Sequence, residues 1–159
     1  MSHIRILLGT QELRLTDADG LETHYPVSTA ANGAGEQQDS GCTPRGRHRI
    51  RLKIGAGCPE NAVFVGRRHT GEIWTPELAR RGPERDWILT RILWLTGLES
   101  GHNRGGRCDS LRRFIYIHGT PDSEPMGRAC SHGCIRMRNR DLMDLFDSVA
   151  VGTTVDILE

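Results

Sequence analysis

The stretch Arg47-His48-Arg49-Ile50-Arg51-Leu52-Lys53-Ile54 sets the fold class. Arg47, Arg49, Arg51 and Lys53 share one face, and Ile50, Leu52 and Ile54 share the other. That period of two belongs to a half-buried strand. Working outward, Leu13-Arg14-Leu15 alternates in the same way. Leu21 to Thr29 is extended but carries Pro26, which suits an edge. Ala62–Val65 and Arg112–His118 read as strands. Trp87–Leu95 fits a helix on pattern alone, but its β-branched and aromatic content favours a strand. The polar segment Asn32–Gly46 holds Gly33, Gly35, Gly41, Gly46 and Pro44, so it reads as a long loop. One helix is expected near the end: Asn139 as its cap, Leu142, Met143, Leu145, Phe146 and Val149 at helical spacing, and Gly152 as its stop. Val155–Leu158 then reads as a closing strand. The expectation is one mainly β domain over residues 1–159, with long loops and a short helix.

Composition narrows the function. The 159 residues suit one domain that can bury a core without metal or disulfide staples. Charged residues make up 26%, yet the net charge is only +1. This gives no electrostatic reason to expect nucleic acid or an anionic membrane as partner. The longest apolar runs, such as Ala62–Val65 and Ile92–Leu95, are far shorter than the roughly 20 residues of a spanning helix. The first apolar segment breaks off at Leu8, before a secretory signal of about 7–15 apolar residues could form. A cytoplasmic product is therefore expected, or a periplasmic one if a leader precedes this chain. Five cysteines (Cys42, Cys58, Cys108, Cys130, Cys134), an odd number without a Cys-x-x-Cys, read as reduced thiols.

The chemistry concentrates between Phe114 and Met137. On a strand, Phe114, Tyr116 and His118 point one way and Ile115 and Ile117 the other. His118 then stands where the strand gives way to Gly119. Cys134 follows sixteen positions later, just after Gly133. A thiol needs a nearby base to become a nucleophile near neutral pH, and a loop can bring Cys134 back beside His118. Gly133, lacking a Cβ, lets a carbonyl approach the N–H groups of Gly133 and Cys134, which could hold a developing oxyanion. Each residue alone has an ordinary reading as a packed thiol or a hydrogen-bonded imidazole. Cys134 with His132 could also ligate a metal, but no second close pair completes a zinc set.

Ile117-His118-Gly119-Thr120, followed by Ser131-His132-Gly133-Cys134-Ile135-Arg136-Met137, resembles the active-site signature of the L,D-transpeptidase catalytic domain, or YkuD, family. Val27–Ala30 with Thr43-Pro44-Arg45-Gly46, Asp86–Leu95 and Gly97–Asp109 also look familial, so the resemblance covers nearly the whole chain. It implies a YkuD-like β-sandwich with Cys134 as nucleophile and His118 as base. It further implies that the Gly119 carbonyl orients the imidazole, that Ser131 and His132 shape the loop, and that the Gly133 and Cys134 amides are oxyanion donors. Tyr116, Ser131 and Arg136 are expected to face substrate. Arg136 suits a substrate carboxylate or an internal ion pair equally well. Cys130 departs from the family pattern and could form a disulfide with Cys134 on oxidation.

The implied substrates are peptidoglycan stem tetrapeptides, cleaved between meso-diaminopimelate and the terminal D-alanine, with no cofactor or metal and with carbapenems as acylating agents. Water as acceptor gives an L,D-carboxypeptidase, the expectation for a cytosolic enzyme of murein recycling. A stem amine gives 3–3 cross-links and a free D-amino acid gives exchange, both L,D-transpeptidase reactions. A non-catalytic murein-binding module is the rival class, though a binder needs no thiol beside an imidazole. A second rival is nucleic-acid binding through the Arg47/Arg49/Arg51/Lys53 face, which reads more simply as a solvated strand face. Gly101–Gly106 lacks the lysine-serine/threonine ending of a phosphate loop.

Overall fold

In the computed structural model, which describes residues 1–159, the Arg47–Ile54 alternation becomes strand β4 (Gly46–Ile54). The other strands are β1 (His3–Leu7), β2 (Glu12–Thr16), β3 (Glu22–Ser28), β5 (Ala62–Val65), β6 (Arg68–Ile73), β7 (Ile88–Gly97), β8 (Tyr116–Gly119), β9 (Ile135–Met137) and β10 (Thr154–Leu158). Helices α1 (Pro76–Arg81) and α2 (Asn139–Ser148) complete the chain. The strands run in the order β4-β10-β1-β2-β3-β9-β8-β7, and β7 pairs back onto β4. The expected mainly β single domain is therefore present, with both edges of the sandwich joined into a closed sheet. Closure leaves no free edge among these eight strands. The β5–β6 hairpin extends from β7.

Alternation decides which side of the sheet is dry. Ile4, Ile6, Leu13, Leu15, Leu93, Leu95, Ile117, Ile135, Ile157 and their neighbours fill the main core. Leu142, Leu145 and Phe146 of α2 pack into it, at the i, i+3, i+4 spacing of an apolar helix stripe. Ile92, Trp94 and Tyr116 belong to the opposite face of β7 and β8 and pack with Ala62 and Phe64 of the hairpin. This second, smaller cluster abuts Cys134.

Several local expectations are corrected. A bulge after Ile50 shifts the β4 register, so Leu52 is exposed and Lys53 turns inward. Lys53 Nζ donates to the carbonyls of Phe146 (2.6 Å) and Val149 (2.7 Å), a cation at the C-terminal end of α2. The Arg112–His118 strand shortens to begin at Tyr116, because Phe114 adopts φ = +57° in a turn. Asn139 does not cap α2; Arg138 holds the cap position and the Asn139 side chain is buried elsewhere. The helix ends at Ser148, with Gly152 in the turn beyond it. Pro26 lies in a strand with neighbours on both sides, but β9 pairs only with Val27 and Ser28, so its missing N–H is not needed. Strands β6 and β9 and helix α1 are too short or too polar to stand out in the sequence, whereas β1, which alternates over five residues just as β2 does, is missed in the sequence reading.

Candidate active site

Strands β8 and β9 run parallel, with Ile117 opposite Ile135 and His118 opposite Arg136. Ile117 and Ile135 face the main core. Tyr116, His118, Cys134 and Arg136 consequently share the other face. Cys134 immediately precedes β9, and its Sγ accepts the Tyr116 N–H at 3.3 Å, just beyond the end of the β8–β9 ladder. Ladder geometry makes Cys134 and His118 diagonal neighbours, about 8 Å apart at Cα. The charges of Asp86 and Arg136 act on both groups.

The imidazole of His118 is buried, and its Nδ1 lies 2.6 Å from the Gly119 carbonyl oxygen. A carbonyl only accepts, so Nδ1 carries the hydrogen and Nε2 keeps its lone pair as a base. Burial holds this histidine below its usual pKa. The half-buried Cys134 thiol lies 3.2 Å from the Phe114 carbonyl and is pushed up to about 12, chiefly by desolvation. At neutral pH the resting pair is therefore an uncharged thiol and an uncharged imidazole.

Buried polar contacts fix the loop around the sulfur. Ser131 Oγ donates to the Cys134 carbonyl (2.6 Å) and accepts the Gly133 N–H at 3.3 Å. Thr43, from the Thr43-Pro44-Arg45-Gly46 turn, donates to the Gly133 carbonyl at 2.9 Å. Gly133 has φ = +131°, and a Cβ there would stand 3.3 Å from the Cys42 carbonyl oxygen. Its glycine requirement comes from this close backbone approach as well as from its unusual φ. The Cys134 N–H makes no hydrogen bond within the protein. Of the two expected oxyanion donors, one is unengaged and the other makes a long bond to Ser131.

The remaining sequence-derived residues divide between packing and pocket. Arg136 is buried, with Nη2 3.4 Å from Asp86 Oδ1, Nη1 3.8 Å from Glu124 and 3.4 Å from the Cys130 carbonyl. It forms the internal ion pair, tying the loop before β7 to the loop before Cys134. Tyr116 is buried edge-on against Trp94 at 5.8 Å, and its hydroxyl accepts from Arg67 at 3.2 Å. His132 is exposed and lies 3.7 Å from Asp86. Arg113, Phe114, His132, Gly133 and Cys134 border an open pocket of about 430 Å³.

Sequence reasoning placed none of Asp86, Thr43, Arg113 and Asn139 at the site. Arg113 is half-buried and donates to the Cys42 carbonyl at 2.7 Å, holding the Asn32–Gly46 loop against the pocket. Asn139 donates to the Thr120 carbonyl and to Asn61 Oδ1, both at 3.0 Å, and accepts from Thr90 at 2.6 Å. It thus braces the end of β8 directly beyond His118. No group of three His, Cys, Asp or Glu side chains stands together as a metal-ligating set. No helix is long and apolar enough to cross a membrane.

Comparison with known proteins agrees with this arrangement. The family model described as the L,D-transpeptidase catalytic domain, YkuD, matches residues 2–157. The probable L,D-transpeptidase YbiS of Escherichia coli K12 is 45% identical over 108 residues, 67% of this chain and 35% of that protein. The probable L,D-transpeptidase ErfK/SrfK of Salmonella typhimurium is 33% identical over 125 residues, 73% of this chain and 40% of that protein. This chain matches two fifths or less of the length of these relatives. The crystal structure of L,D-transpeptidase 3 from Mycobacterium tuberculosis with a faropenem-derived adduct shares the fold. Its TM-score is 0.60 at 16% identity, over 99% of this chain and 60% of that one. With the family match spanning all but the two ends, and the histidine and cysteine of its signature on one face of the β8–β9 pair, the chain belongs to the YkuD family of L,D-transpeptidase catalytic domains.

Proposed function

We propose that this protein is a cysteine acyl transferase acting on peptidoglycan stem tetrapeptides, at the bond between meso-diaminopimelate and the terminal D-alanine. The supporting observation is the Nδ1 contact of His118 with the Gly119 carbonyl, which aims an unprotonated Nε2 on the same strand face as Cys134. In this reading Nε2 takes the thiol proton as Sγ attacks the carbonyl at the L-centre. The Cys134 N–H, joined by that of Gly133 once Ser131 yields it, holds the oxyanion. The imidazolium then returns its proton to the departing D-alanine amine, leaving a thioester on Cys134.

Water reaching the thioester through the open pocket gives the tripeptide, which makes the enzyme an L,D-carboxypeptidase suited to murein recycling. The relatives' designation as probable L,D-transpeptidases favours a second acceptor, the amine of another stem, which would make it an L,D-transpeptidase. Incubation of the purified protein with tetrapeptide, alone and with a D-amino acid, separates the two by mass spectrometry. Tripeptide from tetrapeptide alone supports hydrolysis; only exchange or dimer supports transpeptidation. Cys134→Ala is expected to abolish every product while keeping the fold, and surviving turnover would defeat the thioester. A carbapenem is expected to add its mass to the wild-type protein and not to Cys134→Ala.

A further inference from the structure

Arg49 and Arg51 of β4 face a second pocket of about 430 Å³, beside the one at Cys134. Arg104 and Arg112 complete its cationic lining, and Asp109 is its sole acidic group. Arg112 borders both pockets. None of the four guanidinium groups has a carboxylate within salt-bridge distance or any side-chain hydrogen bond, whereas Arg45 and Arg47, just before them, are paired with Glu36 and Asp156. Asp109, which also accepts the Gly105 N–H (2.7 Å) and the Arg112 N–H (3.0 Å), carries one negative charge against four positive ones and leaves the lining strongly cationic.

A merely solvated strand face would spread its cations over a convex surface and pair some of them. Here four like charges surround one concavity, an arrangement that repels itself until an anion enters. Guanidinium is also the group whose planar fork matches a carboxylate with two parallel hydrogen bonds. We propose that this pocket is an anion subsite that binds free carboxylates of the stem peptide upstream of the scissile bond, while the next pocket presents the D-alanyl end to Cys134. The proposal rests on the stem-peptide reading and extends it. It makes the charge of the substrate, and not only its terminal D-alanine, a determinant of recognition, with Arg112 as the link between the two pockets.

The test is a cycle between protein and peptide. The protein arm is the triple variant Arg49→Gln/Arg51→Gln/Arg104→Gln, which leaves Arg112 and the thiol pocket intact. The peptide arm is the stem tetrapeptide, with its upstream carboxylates either free or amidated. The triple variant is expected to lose about tenfold in kcat/KM on the free-acid peptide, the scale of three exposed ion pairs. It should show no further loss on the amidated peptide, because the partners are already gone. Its melting temperature and its rate of iodoacetamide alkylation at Cys134 should match wild type. Equal kcat/KM on the free-acid peptide, or an equal loss on the amidated one, overturns the subsite. So does displacement of the free-acid peptide by a single-stranded oligonucleotide at lower concentration than by polyglutamate, which would reassign the pocket to nucleic acid. If wild type does not turn over the peptide at all, the acyl-transfer reading fails. Calorimetric binding of the same two peptides to the same two proteins then decides the subsite independently, by the presence or absence of the tenfold difference.

Discussion

Gly119 is where fold and chemistry meet most tightly, and Gly119→Ala tests that junction. Gly119 ends β8 opposite Leu89 of β7, and its carbonyl holds His118 Nδ1. A Cβ there would overlap Asn139 Oδ1 and would stand 2.6 Å from the Leu89 carbonyl oxygen and 3.2 Å from its carbon. The Leu89 carbonyl is main chain in a paired strand and cannot rotate away. Asn139 can move only by giving up bonds to Thr120, Asn61 and Thr90. Overpacking of this kind costs about 1–3 kcal/mol, and a stranded buried polar group costs about 1–3 kcal/mol more. A total of about 2–6 kcal/mol lowers the melting temperature by about 4–24 °C for a chain of this size. Thermal unfolding followed by circular dichroism at pH 7 reads this directly. Gly9→Ala is the control, since its Cβ would meet nothing nearer than 3.7 Å and Gly9 is not among the left-handed glycines. A Gly119→Ala melting temperature within about 2 °C of the control would refute the reasoning.

Three further outcomes are expected. Because burial raises the Cys134 thiol to about 12 and lowers His118, thiol reactivity should rise as His118 loses its proton, below the ordinary histidine value near 6.5, and then stay level across neutral pH. His118→Gln should remove that acid limb, and a wild-type profile with a single rise near pH 9 would contradict the neutral pair. Burial also lowers His48 to about 4, from 6.5 in the unfolded chain. The unfolded chain then takes up the proton first, so stability falls as pH drops from 6.5 to 4, by about 3 kcal/mol in all; chemical denaturation of His48→Gln across that window should show a shallower decline. Lys53→Met removes two donors from the end of α2 and should cost about 1–2 kcal/mol, or about 2–8 °C, whereas Arg51→Met, whose side chain makes no protein hydrogen bond, should cost almost nothing; equal losses in the two variants would show that Lys53 is not a helix-end group.

Much of this molecule is legible in its sequence because water is excluded by faces. The alternation in Ile115–His118 puts Ile117 and His118 on opposite faces, and the sheet does so, with Ile117 in the main core and His118 on the face of Cys134. Where a bulge intervenes, as after Ile50, periodicity fails by one residue and sends Lys53 inward and Leu52 out. No side-chain type announces that bulge, since the register is set by β7 and β10 on either side of β4. The same limit applies to the site. His118 and Cys134 are visible as a reactive pair flanked by glycines. The groups that hold them are polar residues buried at turns, joined to partners far along the chain: Thr43 to Gly133, Arg136 to Asp86, Asn139 to Thr90. Hydrophobic patterning records which face is dry but not which lone polar group in that dry region satisfies a distant carbonyl or hydroxyl. Asn139 shows the consequence. Read locally, an asparagine before a helical stripe is a cap; in the fold the cap position falls to Arg138, because the Thr120 carbonyl and the Asn61 and Thr90 side chains would otherwise be left with fewer partners in a buried space. An unmet polar group there would cost more than an uncapped helix end that water can reach, so the long-range demand overrides the local signal.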